Sequence, residues 1–223
     1  CGAWSVAITS IKSLFNASHN FSLSLDVLTV VISDGGDGDG VNERVVRLDG
    51  ETLSVKWIRG NNGTVDTSDD PNSGGFLQLH SVTLDSSRDA VWLADRGNSR
   101  LVKLDATTGA FLGEWPCINS TNGHGPNSVR YASSSDSIVG TVGKPVSADD
   151  ASVLWALDAA AASNDCNFKA GPVVLNGTNN AHEIDIDQKT GAVYIAEEDI
   201  VFGQVRTFPW SCNQASLPHT SWH

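Results

Sequence analysis

Apolar residues along this chain come in short runs that end in a small or acidic residue, and the runs recur in the same order. The clearest stretch reads His80-Ser-Val-Thr-Leu-Asp85, Ala90-Val-Trp-Leu-Ala-Asp95, Arg100-Leu-Val-Lys-Leu-Asp105 and Ala110-Phe-Leu-Gly-Glu-Trp115. Runs of this length, rich in Val, Leu and aromatic residues and bounded by Ser, Asp, Gly and Thr, are strands rather than helices. The links 86–89, 96–99 and 106–109 are too short for crossovers, so the strands pair as antiparallel hairpins. A similar unit comprises Trp4–Ile8, Val27–Asp34, Arg44–Asp49 and Leu53–Ile58, with an insertion between its first two strands. Another comprises Asn127–Tyr131, Ser137–Val142, Ser152–Asp158 and Pro172–Leu175. In the last, His182–Asp187, Ala192–Glu197 and Gln204–Phe208 have no evident fourth strand.

Self-similarity with a period of roughly 40 to 50 residues is the mark of a repeat architecture. Repeated four-stranded antiparallel sheets point to an all-β propeller, which leaves only short sheet edges. A sandwich would not explain the repeated four-strand pattern. The expected units are residues 1–60, 76–117, 127–176 and 182–210, followed by a tail at 211–223. No helix is required.

Composition narrows the setting. Hydrophobic residues make up 40% of the 223 and charged residues 18%, enough for a packed core. No stretch reaches the roughly 18 consecutive apolar residues of a membrane-spanning helix. With a net charge of −12 and only 14 Lys plus Arg, the chain lacks the clustered cations that a nucleic acid would require. It begins at Cys1, contains no Met and has no leader-like segment, as expected of a processed product or a piece of a longer protein. Sequons at Asn16, Asn20, Asn62, Asn119 and Asn176 all lie in Ser/Asn/Gly-rich segments that read as surface loops. Cys1, Cys117, Cys166 and Cys212 are widely spaced, without a Cys-x-x-Cys pair. Two disulfides in a secreted protein or the secretory-pathway lumen are the expectation, with the connectivity open.

The phrase Trp92-Leu-Ala-Asp95-Arg96-Gly-Asn98-Ser-Arg100-Leu-Val-Lys-Leu-Asp105 resembles the NHL family, and the implied ring has about six blades, of which about four are visible. Within that family the order of landmarks is similar to the peptidyl-α-hydroxyglycine α-amidating lyase domain. These landmarks are Ile32-Ser-Asp-Gly35 with Asn42-Glu-Arg44, His80-Ser81 with Ala94-Asp-Arg96, Val142-Gly-Lys144-Pro145, and His182-Glu183 with Tyr194-Ile195.

The resemblance implies that His80 and His182 are zinc ligands, with a third from an upstream blade. It also implies that Arg96 is a catalytic residue beside the metal and that Glu183 stands where the family places an Asp holding calcium. Imidazoles suit zinc, a guanidinium can fork onto a carboxylate, and a carboxylate suits a hard cation. Zinc and calcium are thus the expected cofactors. A peptide ending in α-hydroxyglycine would be the substrate, with glyoxylate and a C-terminal amide as products.

The chain departs from the family at Gly36, where the proposed catalytic tyrosine would stand, and it has no Cys near Gly35–Arg44. The alternative is therefore a non-catalytic extracellular propeller that binds protein partners. The run Asp37-Gly-Asp39-Gly40 lacks the acidic twelfth position of a calcium loop and reads as solvated. Lys144 reads as structural, and no Gly-x-Ser-x-Gly elbow or phosphate loop occurs.

Glycosylation tests the inferred compartment. At least two of the five sequon asparagines should carry glycan on protein from a eukaryotic secretory host. An intact mass equal to that of the bare polypeptide would refute it.

Overall fold

The computed structural model describes residues 3–8, 29–35, 43–60, 75–116, 118, 125–143, 152–166, 168–175, 180–197 and 204–208. The five sequon asparagines, Cys1, Cys117, Cys212, Gly36–Gly40, Lys144 and the 211–223 tail lie outside these residues, as do Val27 and Leu28 of the second expected strand. Every regular element among the described residues is a strand. The first sheet contains β1 (Ala3–Ile8), β2 (Thr29–Gly35), β3 (Arg44–Asp49) and β4 (Val55–Gly60). The second contains β5 (Leu79–Asp85), β6 (Ala90–Asp95), β7 (Arg100–Asp105) and β8 (Phe111–Trp115). The third contains β9 (Ser128–Ala132), β10 (Ser137–Val142), β11 (Ser152–Asp158) and β12 (Phe168–Leu175). The last contains β13 (Ala181–Ile186), β14 (Val193–Glu197) and β15 (Gln204–Phe208). All are antiparallel meanders in chain order, the blades of a β-propeller.

The Asp that closes so many strands is the local reason for the hairpins. Asp49 Oδ1 accepts hydrogen bonds from the backbone N–H of Glu51 and Thr52 and from the Thr52 hydroxyl, at 2.9–3.2 Å. Asp105 does the same with Thr108, and Asp187 with Lys189 and Thr190. These donors favour the ionised carboxylate and hold Asp49, Asp105 and Asp187 below the usual range. The residue after each Thr is left-handed: Leu53 (φ 56°), Gly109 (φ 70°) and Gly191 (φ 74°). Glycine occupies that conformation without strain, whereas Leu53 does not, and it is 63% exposed. The fourth strand of the first sheet therefore begins at Val55 rather than Leu53, because the turn consumes Leu53. In the third sheet the last strand starts at Phe168, ahead of the expected Pro172. Register shifts against β11 accommodate the proline on an outer edge strand.

The sheets pack face to face. Val31 and Val45 of the first meet Leu79, Val82, Val91 and Leu93 of the second. Trp92, Leu101 and Trp115 of the second meet Val129, Ile138, Trp155 and Leu157 of the third. Val139, Leu154 and Ala156 of the third meet Ile184, Val193 and Ile195 of the last. Polar ties repeat alongside. Arg47 Nη1 donates to the Ala106 carbonyl at 2.6 Å, and Lys103 Nζ donates to the Ala159 carbonyl at 3.3 Å. In each case a basic residue of one sheet reaches the alanine after the third-strand Asp of the next. Arg88 forks onto Asp136 with bonds of 2.7 and 2.6 Å.

Inside the second blade, Arg100 Nε donates to the fully buried Asp95 at 2.8 Å, its Nη1 to Glu114 at 3.0 Å and its Nη2 to the Gly75 carbonyl at 2.8 Å. Asp95 also receives the Leu77 N–H and the Asn98 amide. This network fixes the Ala-Asp-Arg-Gly-Asn phrase. The burial that raises the Asp95 carboxyl above its usual value is opposed by these donors.

Leu53→Gly should stabilise the protein by roughly 0.5–1 kcal/mol in denaturant titration, because it relieves a left-handed leucine with little loss of burial. A destabilised variant would contradict this account of the turn.

Asp136 makes the inter-blade tie pH-dependent. Arg88 holds its carboxyl below the value of 3.8, so the tie contributes above that pH and is lost as pH falls through the depressed folded value. Asp136→Asn should cost no more than about 1 kcal/mol at pH 7, since the pair is partly solvated. The difference from wild type should shrink below about pH 4, as measured by urea midpoints from pH 2 to 7.

Candidate functional site

The first strands of successive sheets lie against one another, β1 against β5, β5 against β9 and β9 against β13. They form the inner edge of the array. Side-chain oxygens satisfy part of that edge: Ser81 Oγ accepts the Val129 N–H at 3.3 Å, Thr83 Oγ1 the Tyr131 N–H at 3.1 Å and Ser128 Oγ the Ile184 N–H at 3.2 Å.

His80 and His182 occupy equivalent places on this edge. In β5, Leu79 pairs with Asp95 and Ser81 with Ala94, leaving His80 as the extra residue of a bulge. In β13, Ala181 pairs with Glu197 and Glu183 with Ala196, leaving His182 as the extra residue. The pairings of β1 and β9 have no such shift. A bulge re-aims a side chain, and here the two bulges bring the imidazoles together. Their ring centroids are 4.5 Å apart in an edge-to-face arrangement.

His80 is buried, and its Nδ1 lies 2.7 Å from the Asn127 carbonyl oxygen. A carbonyl only accepts, so Nδ1 carries the proton and Nε2 of the neutral ring holds the lone pair. That is the orientation by which a backbone carbonyl prepares an imidazole for a metal. Asn127 is itself held, its Nδ2 reaching Asn180 Oδ1 and the Ala181 carbonyl at 3.3 Å each. Gly143, within the Val-Gly-Lys-Pro landmark, leaves the space for this: a Cβ there would collide with the amides of Asn127 and Asn180.

Glu183 turns elsewhere. Its Oε2 accepts from Ser128 Oγ at 2.9 Å and Arg130 Nη2 at 3.2 Å. Burial pushes the Glu183 carboxyl above its usual value, and the Arg130 charge, the Ser128 hydroxyl and His182 pull it back. Arg96 lies in the turn after β6, partly buried, one residue beyond the partner of Leu79 and so at the His80 end of the blade. Cys166 is described and partly buried, in the segment before β12. Among the described residues no three His, Cys, Asp or Glu side chains form a metal-sized group. The structure thus unites His80 with His182, while the Glu183 carboxylate engages Ser128 and Arg130.

Asn127, Ser128 and Arg130 were not singled out as site residues by sequence reasoning. The one available signal was a cation at position 130, on an expected inner strand, in a chain with few cations.

Two curated relatives are similar to this chain. NHL repeat-containing protein 3 of Mus musculus is 35% identical over 176 residues, and that of Homo sapiens is 34% identical over 162. The matches cover 78% and 72% of this chain but 46% and 42% of the relatives, so the chain spans less than half their length. No family model matches the chain. A chain in the solved "Crystal Structure of Mitotic Checkpoint Complex" is similar at a TM-score of 0.46 and 11% identity, covering 77% of this chain and 42% of that one. A likeness of that order carries no argument about either fold or function.

Proposed function

The chain is an NHL-repeat β-propeller segment, and on that premise we propose that it is a secreted zinc propeller of the peptidyl-α-hydroxyglycine α-amidating lyase type. The observation that carries this reading is the pair of matched bulges that aim His80 and His182 at each other. A bulge costs ladder hydrogen bonds, and the same cost at two equivalent histidines supports a shared task. The donor set fits zinc: two imidazoles, one of them oriented through its Nδ1–H by the Asn127 carbonyl. A further donor would come from outside the described residues or from solvent.

When bound, zinc would supply Lewis acidity towards a substrate oxygen. The chain's own residues bind and orient. Asn127 keeps the His80 lone pair on Nε2, and Arg96, at the same end of the blade, is suited to a substrate carboxylate through its fixed fork of donors. The lyase reaction breaks the N–Cα bond of an α-hydroxyglycine: the hydroxyl loses its proton as its oxygen becomes the aldehyde oxygen of glyoxylate, and the departing nitrogen gains a proton to become the C-terminal amide.

A second reading, an extracellular binding or assembly module with protein partners, is favoured by Gly36. No phenol stands where the resemblance would put the proton acceptor. The oxidising setting, glycans and disulfides belong to both readings.

Metal analysis of the full-length glycoprotein from secretory expression should find close to one zinc per chain. His80→Ala and His182→Ala should each lose that zinc and any glyoxylate release from a peptide ending in α-hydroxyglycine. Zinc without glyoxylate would leave the metal site and favour the binding module. Wild-type protein without zinc would end the metal reading.

A further inference from the structure

The oxygens around Glu183 form a cradle contributed by three successive blades. Ser81 Oγ comes from β5, the Val129 carbonyl from β9 and Glu183 Oε2 from β13. One cation already fills it. Arg130 Nη1 lies 3.0 Å from Ser81 Oγ and 2.8 Å from the Val129 carbonyl, and Nη2 lies 3.2 Å from Glu183 Oε2. Ser128 adds its hydroxyl to the same carboxylate oxygen at 2.9 Å while receiving the Ile184 N–H.

Calcium, the ion that the family resemblance implies beside this carboxylate, does not fit. It takes about six to eight oxygens at about 2.3–2.6 Å and tolerates no positive group among them. Here the guanidinium lies against Oε2 of that carboxylate and uses the Val129 carbonyl and Ser81 hydroxyl as well. A neighbouring cation at that range repels a divalent ion, and the Glu183 oxygen has a second donor in Ser128.

We propose that Arg130 is a built-in counter-ion that replaces calcium at the inner edge, clamping the β5, β9 and β13 strands through Ser81, Val129 and Glu183. The clamp makes the inner edge independent of calcium. Its planar fork suits the task, because two nitrogens reach oxygens on different blades at once, which a lysine point charge does not do. The proposal stands on the Arg130 contacts alone and is independent of whether zinc binds His80 and His182.

The test uses the full chain, with zinc content recorded in every sample so that loss of the histidine site is seen separately. Millimolar calcium chloride against EGTA should leave the wild-type Tm unchanged, and no calcium should be retained after gel filtration. Arg130→Gln should lower the Tm by about 2–4 °C, the shift expected on loss of a partly solvated ion pair in a chain of this size. Arg130→Lys should recover part of that loss, and the Arg130→Gln/Glu183→Gln pair should lose less than the two single changes added together. If Arg130→Gln does not fold, the wild-type calcium titration and the Glu183→Gln and Arg130→Lys variants still decide. Wild-type retention of calcium that Glu183→Gln abolishes would overturn the proposal, as would strict additivity of the two changes or a neutral Arg130→Gln.

Discussion

A blade in the middle of this array must bury both of its faces, and that constraint governs most of the chain. All six residues of β6, Ala90 to Asp95, are buried, including the acid, because sheets press on it from both sides. Alternation of buried and exposed positions therefore disappears in β6 and β10 and survives in β14, where Val193 and Ile195 are buried and Tyr194 and Ala196 are exposed. The same crowding dictates the polar chemistry of the inner strands. Their inner edge has no further strand of the same sheet to pair with, so Ser81, Thr83 and Ser128 supply acceptors to the next blade. An unsatisfied buried N–H would cost about 1–3 kcal/mol, so these small hydroxyl residues are structural before they are anything else.

This explains why the strand order was legible. The Leu-Asp endings at residues 49 and 105 and the Ile-Asp ending at 187 are both the end of an apolar run and the cap of the next turn, so one short phrase carries strand, boundary and hairpin together. Where the phrase deceives, the cause is local. Leu53 looks like the start of a strand because it is apolar, yet it fills the left-handed position that glycine takes at 109 and 191. Pro172 looks like a strand start because proline cannot donate, yet β12 is an edge strand and shifts register around it.

The site was legible only in part. Equivalence between repeats identified His80 and His182, since both open the first strand of their unit. The bulges that join them are not encoded in the two histidines. They follow from the partner strands, in which Asp95 and Glu197 pair with the residue before each histidine while Ala94 and Ala196 pair with the residue after it. The role of Arg130 was hidden for a similar reason. Its contacts come from Ser81 and Glu183, which lie far away in sequence on neighbouring blades.

The two bulges also divide the inner edge into two layers. An ordinary strand sends consecutive side chains to opposite faces, and the inserted residue resets that alternation. In both bulged strands the histidine joins the imidazole pair and the following residue, Ser81 or Glu183, turns to Arg130. The result is an imidazole layer beside a guanidinium–carboxylate layer, with adjacent residues of the same strands serving each. Such a division keeps the Glu183 charge engaged by a fixed cation while Asn127 holds the His80 imidazole. The inner edge therefore separates its imidazole pair from its charge compensation by backbone register.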